Sequence, residues 1–184
     1  NAVRRIAAGQ GDLFLVGGSL NAEREDLLLG YELGHNLWRG SFRPVWQRRQ
    51  SSGGFVPGSV GAFLVLESSD HAKARGAKPY ARIAGVVSDR SDREPGQAKS
   101  AGTRLFEALC GESAKGPLPV LSGACGVAPV TNEELEFLSD IEGAGFKPVI
   151  RAYGSLLGHG VEAHFATGLA LAALGLSKGG FLPP

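Results

Sequence analysis

The side chains that could do chemistry in this sequence are 2 cysteines, 4 histidines and one cluster of arginines set among aromatic residues. A cysteine acts as a nucleophile or metal ligand only as the thiolate, and an imidazole can exchange a proton near neutral pH. Cys110 and Cys125 are too few for a disulfide framework, and no CxxC or CxxH spacing suggests a metal site. No metal and no cofactor are therefore expected, and a reducing, cytoplasmic compartment fits best. Arg39, Arg43, Arg48 and Arg49 are interleaved with Trp38, Phe42 and Trp46, a pattern that can track a nucleic-acid backbone. With 19 Lys+Arg against 18 Asp+Glu the formal charge is only +1, so no long-range field supports that use. The cluster reads as a solvated loop face or an interface, and no nucleic-acid partner is expected.

The elements that must position these groups follow from periodicity. Hydrophobic residues make up 43% and charged residues 20%, a globular composition long enough for one sizeable core. Ala2, Val3, Ile6 and Ala7 share a helical face that Gly9 ends, and residues 13–18 form an apolar run predicted as a strand buried on both faces. Residues 21–54 read as a long excursion, broken at Arg43-Pro44 and Ser51-Ser52-Gly53-Gly54. Strands are predicted at 60–66 and 80–87, able to pair as antiparallel neighbours around a short helix closed by Gly76. A helix over 98–110, a strand at 119–121, a helix capped by Thr131 with Glu134 at capping-box distance, and a strand at 147–150 follow. A glycine-flanked loop at 154–159 then leads into a small-residue helix over 161–176, expected to lie buried between two sheets of a layered α/β protein. No apolar run is long enough to predict a membrane span, and the first residues lack a signal-peptide stretch. The absence of methionine leads us to expect a processed chain, a fragment or an incomplete sequence.

Residues 54–67, GFVPGSVGAFLVLE, and 71–81, HAKARGAKPYA, are similar to the DGFVxGEGAGxLVLE and HAxxRGAxxYA segments of the β-ketoacyl-acyl-carrier-protein synthases, condensing enzymes of the thiolase-fold superfamily. Residues 123–133, GACGVAPVTNE, stand in the place of that family's AHGTxTPxxD loop. Residues 154–159, GSLLGH, resemble KSxxGH, and Pro183-Pro184 resemble the PP that follows its helix. Residues 2–18 resemble the helix and strand just after the family nucleophile. The resemblance implies an α/β, thiolase-like layered αβαβα fold with mixed sheets, of which this chain is a partial subunit. Residues 1–54 would be a remnant of the N-terminal half with its excursion, and residues 55–184 the C-terminal half.

The implied chemistry is decarboxylative condensation of an acyl thioester with malonyl-acyl-carrier protein in fatty-acid or polyketide elongation. It needs a thiolate at a helix N-terminus and two histidines that polarise the thioester. His159 matches the second family histidine, whose role is to donate Nε2–H toward the thioester oxygen. Ala124 or Cys125 falls at the first histidine position, and neither replaces an imidazole; Cys125 as a substitute nucleophile competes with the reading of an inert buried thiol. His164, His71 and His35 lack comparable context and read as structural or exposed. Gly53, Ser59-Val60 and Gly154 stand where the family has Asp, Glu-Gly and Lys. The family's nucleophilic cysteine has no counterpart among these residues, so condensation by the chain alone is not expected. The implied partners are acyl carrier protein and a second synthase-like subunit, as a homodimer or as a heterodimer with an active synthase. A non-catalytic subunit like the chain-length factors of polyketide systems is the alternative.

Overall fold

Two small sheets and the helices that join them make up the computed structural model of the chain, which describes residues 1–50, 53–92, 94–110 and 115–182. The Ser51-Ser52 breaker and the Pro183-Pro184 pair lie outside the described residues. Helix α1 (Ala2–Ala7) ends before Gly9, whose positive φ of 68° suits a residue without Cβ, and β1 (Leu13–Leu20) follows. β1 pairs antiparallel with β2 (Val60–Glu67), from Leu13 opposite Glu67 to Leu20 opposite Val60. Residues directly opposite share a face, so alternation sends Phe14, Val16, Leu64 and Leu66 inward and Leu13, Leu15, Phe63 and Val65 outward. The expectation that β1 is buried on both faces is thus corrected: Leu15 is 71% and Phe63 63% exposed. An antiparallel pair needs cover on one face only, and here α8 (His164–Ser177) and the 3-10 turn Val161–Ala163 supply it.

The second sheet is parallel. β3 (Pro117–Ser122) and β4 (Lys147–Ala152) align with Val120 opposite Ile150, joined by the crossover helix α6 (Ala128–Gly143) that parallel strands require. α5 (Gln97–Cys110) packs on α6 through Phe106, whose ring meets Phe137 and Phe146 edge-on at 6.1 and 5.0 Å. α8 contacts both sheets and buries His164, Thr167 and Gly168, while Phe165 stays exposed. Helix α4 (Ser69–Ala74) is capped by the Ser68 side chain, which accepts from the His71 N–H. The long excursion contains α2 (Glu25–Leu33) and the short α3 (Val45–Arg48), elements that its glycines and charges hid.

Two sequence expectations fail for identifiable reasons. Residues 80–87 are not a strand: no backbone hydrogen bond joins them to another segment among the described residues, and β2 pairs with β1 instead. Thr131 is not an N-cap. α6 starts at Ala128 with Pro129 in its first turn, so Thr131 sits inside the helix, where its Oγ1 accepts the Gly126 N–H, and Glu134 reaches Ser122 instead of a helix N-terminus.

Residues 53–58 run between the β3–α6 loop and the loop that carries His159 and bond to both. Gly54 N–H donates to the Gly126 carbonyl (2.9 Å), Gly58 N–H to the His159 carbonyl (3.1 Å), and His159 N–H to the Val56 carbonyl (2.7 Å). At Gly58 a Cβ would overlap the Leu157 carbonyl oxygen, so only glycine lets the two backbones meet. Among the described residues no helix is long and apolar enough to cross a membrane.

Gly58→Ala is expected to lose about 3 kcal/mol of stability because backbone atoms must move. Gly76→Ala, at a positive φ with open space around it, is expected to lose about 1 kcal/mol. Urea unfolding of both variants checks the contrast.

Candidate active site

Three loops converge where the backbone run 53–58 holds them: the β3–α6 loop with Ala124 and Cys125, the loop after α7 (Gly154–Leu157) with His159, and α3 with Arg48. Val45 N–H donates to Ser155 Oγ (3.1 Å), which ties α3 to α7, and Arg49 Nη1 donates to Asn132 Oδ1 (3.0 Å), which ties the end of α3 to α6. A cavity of about 510 Å³ opens between these loops and α5. Gly123, Ala124, Cys125, Glu134 and His159 line it, with Phe137 and Leu105 as its apolar wall. The two sequence candidates, His159 and Cys125, thus share one cavity although they lie far apart along the chain.

His159 is held as a donor. Its Nδ1 accepts the Val161 N–H (3.1 Å), so in the neutral imidazole the proton sits on Nε2. Burial first, then the neighbouring His164 and the Arg48 charge, lower its pKa to about 4. The ring stacks on His164 at 4.0 Å and 21°, and Phe55 meets its other side edge-on at 5.6 Å. Val161, a β-branched residue at φ 44°, carries the backbone strain that folds the turn between the two histidines.

His164 is neither remote nor exposed. It is 7% exposed, stacked between His159 and Tyr153, and its Nδ1 accepts the Gly160 N–H (3.3 Å). Tyr153 Oη donates to the His164 carbonyl (2.8 Å), and burial, then the Glu134 charge, push the tyrosine up to about 12. Burial lowers the His164 pKa, and a hydrogen bond between its ring and the Gly123 backbone works against that shift.

Arg48 and Glu134 are the other polar groups that sequence reasoning passed over. Arg48 is 2% exposed, its Nε and Nη1 lack partners among the described residues, and burial lowers its pKa, although a guanidinium stays charged in a protein. It lies against Gly126, and its charge acts on both Cys125 and His159. Ser122 Oγ donates to Glu134 Oε1 (2.6 Å) and accepts the Ala124 N–H (3.0 Å), a relay that stiffens the loop. Burial raises the Glu134 carboxyl. Cys125 Sγ accepts the Val127 N–H (3.4 Å). The arginine cluster read as one face is divided: Arg39 and Arg43 are exposed, and Arg48 is inside. His71 pairs with Glu67 on the surface, and His35 is exposed, as expected. Among the described residues no group of three His, Cys, Asp or Glu could hold a metal.

A depressed imidazole pKa makes stability depend on pH with a definite sign. Above pH 6.5 His159 is neutral folded or unfolded; as pH falls toward about 4 only the unfolded chain takes up the proton, so its contribution is lost over that interval. The lowered pKa of His164 acts in the same direction. We expect the His159 Cε1–H resonance to titrate near pH 4, and urea stability to fall from pH 6.5 to 4 less steeply in His159→Gln than in wild type. Glu67, held at about 2 by Arg75 and His71, acts in a separate window below pH 4.5.

No family model matches the chain. It is 35% identical over 88 residues to 3-oxoacyl-[acyl-carrier-protein] synthase 2 of Vibrio cholerae, covering 46% of this chain and 21% of the relative. It is 37% identical over 101 residues to the tetracenomycin polyketide synthase ketoacyl synthase beta subunit of Streptomyces glaucescens, covering 52% and 24%. The chain therefore spans about a quarter of the length of these relatives. Among solved structures, the ishigamide ketosynthase/chain length factor superposes with a TM-score of 0.73 at 24% identity, covering 99% of this chain and 45% of that one. The PfaC keto synthase-chain length factor gives 0.73 at 20% identity, covering 97% and 20%. With a thiolase-like ketosynthase fold along its length and partial sequence identity to both kinds of subunit, the chain is a divergent relative of the β-ketoacyl-acyl-carrier-protein synthases and their chain length factors.

Proposed function

We propose that the protein serves decarboxylative condensation of an acyl thioester with malonyl-acyl-carrier protein, with the His159 cavity receiving the thioester. The observation that carries this reading is the tautomer of His159. Its Nδ1 is occupied by the Val161 N–H, so a neutral Nε2–H remains to meet the oxygen that gains charge during condensation. The buried Arg48 charge favours negative charge in the same region. The thiolate that accepts the acyl group would come from outside these residues, because Cys125 is turned onto its own loop and Cys110 ends α5.

A second reading is a non-catalytic subunit like a chain length factor. It is supported by Ala124 and Cys125 at the first histidine position, by Gly53 and Gly154, and by Ser59, whose Oγ is used to accept the Ala22 N–H. Under either reading the protein pairs with a synthase-like subunit, itself or an active synthase, in the cytoplasm. The exposed apolar face of Leu13, Leu15, Phe63 and Val65 is surface that such an assembly would cover. The division at residues 54 and 55 into two thiolase halves belongs to the same proposal.

The test is condensation of an acyl primer with malonyl-acyl-carrier protein, run with the intact protein alone and mixed with the synthase of the same organism. Little turnover is expected alone. In the mixture, His159→Ala is expected to lower turnover about 100-fold, the worth of one oxyanion donor. An unchanged mixed rate would assign the chain to the chain-length-factor reading. Robust turnover by the protein alone, abolished by His159→Ala, would overturn the need for a partner.

A further inference from the structure

Much of the cavity wall comes from two helices and not from the loops that carry His159 and Cys125. α5 supplies Ala98, Ala101, Gly102 and Leu105, which share one face at helical spacing. Facing them, α6 supplies Val130 and Phe137 together with Thr131 and Glu134. Those two polar side chains are already engaged, since Thr131 Oγ1 accepts the Gly126 N–H and Glu134 accepts from Ser122. What the two helices offer a ligand is therefore an apolar groove that opens into the same cavity as His159.

We propose that this groove takes the acyl group of the thioester, an unbranched apolar chain and not a malonyl group, and that Gly102 and Phe137 set the bulk it accepts. The proposal rests on the thioester reading of the cavity and names which thioester enters it. Three observations carry it. The first is the chemistry of the lining. Among the described residues no lysine or arginine, Arg48 included, lines the cavity, so a malonyl carboxylate would give up hydration there without a cation to meet it. An alkyl chain laid along the groove loses nothing polar and leaves water. The second is the contact at Gly102, where a Cβ would stand 3.2 Å from Phe137 Cγ and 3.4 Å from both Cδ atoms. Side chains do not pack that tightly, so the ring keeps its place only because position 102 has none. A glycine inside a helix is unfavourable beside alanine, and nothing in the local pattern of α5 asks for one. The third is what stands behind the ring. Phe106 meets it edge-on at 6.1 Å and is itself set against Phe146 at 5.0 Å, so a side chain added at 102 drives Phe137 toward the cavity that it lines.

The experiment titrates the intact protein calorimetrically with amide analogues of acyl-pantetheines, in which nitrogen replaces the thioester sulfur. The series runs over even-numbered acyl groups from acetyl to decanoyl, with the malonyl analogue beside it. In wild type each added CH₂ is expected to tighten binding about fourfold until the chain meets Phe137, and not beyond. Gly102→Ala, which raises helix propensity and so keeps the fold, is expected to bring that limit to a shorter chain, and Phe137→Leu to a longer one. The malonyl analogue is expected to bind more weakly than the butyryl one. Affinity that does not depend on acyl length, or a limit that neither variant moves, overturns the proposal, as does a malonyl analogue that binds more tightly than butyryl. So does an effect of Gly102→Ala that disappears when pantetheine is shortened to N-acetylcysteamine, since the groove would then hold the arm of the thiol. In each of these cases weaker binding by His159→Phe, which keeps a ring and deletes the donor, leaves the thioester reading standing. If no analogue binds, or if His159→Phe binds all of them as wild type does, the thioester reading itself falls and the acyl groove with it.

Discussion

The arrangement depends on a backbone contact that side chains could not make. Residues 53–58 pass between the β3–α6 loop and the loop that carries His159, bonding to each through main-chain N–H and carbonyl groups. The approach is close enough that a Cβ at Gly53 would lie 2.5 Å from both the Gly126 carbonyl oxygen and the Ala128 nitrogen. Glycines at this crossing are thus a steric condition for having one cavity instead of two separate loops. Because backbone geometry is stiffer than side-chain geometry, the crossing also fixes where His159 stands relative to Ala124 and Cys125.

Electrostatics inside this frame follow from dryness. Burial disfavours charge on both imidazoles and on the Glu134 carboxyl, while the Arg48 guanidinium stays charged. Among the described residues that cation, Arg48, has no carboxylate partner, and leaving charge unpaired inside a protein is costly. The same logic explains why His159 must be neutral: an imidazolium stacked on a second imidazole and facing a guanidinium would meet repulsion from both.

The sequence was informative wherever a local rule decides the outcome. Helix α4 with its stop at Gly76, the strands β1 and β2, and the β3–α6–β4 unit all follow from short-range periodicity and punctuation. Reading failed where the answer lay in a partner. Residues 80–87 have the right composition for a strand and lack a neighbour to bond among the described residues, while β1 has a continuous apolar run yet finds cover on one face. Thr131 and Glu134 match a capping box, but Pro129 lets the helix begin earlier and frees both side chains for the loop before it. Arg48 looked like one of several surface arginines because nothing in the local pattern says which residue of a short helix turns inward.

His164 shows the same limit at the site itself. A comparison of positions finds Ala124 or Cys125 where an imidazole is expected, and Gly154 where a lysine is expected, and it reads both as losses. In three dimensions a ring that enters from the start of α8 stacks on His159 and lies near Gly154, where a Cβ would stand 3.6 Å from His164 Cε1. A polar network tolerates loss of its members when they go together or when another group takes over their hydrogen bonds. The ring is held by Tyr153, whose Oη donates to the His164 carbonyl, and by the turn at Val161, so its place is set by packing and backbone that no local pattern of residues announces.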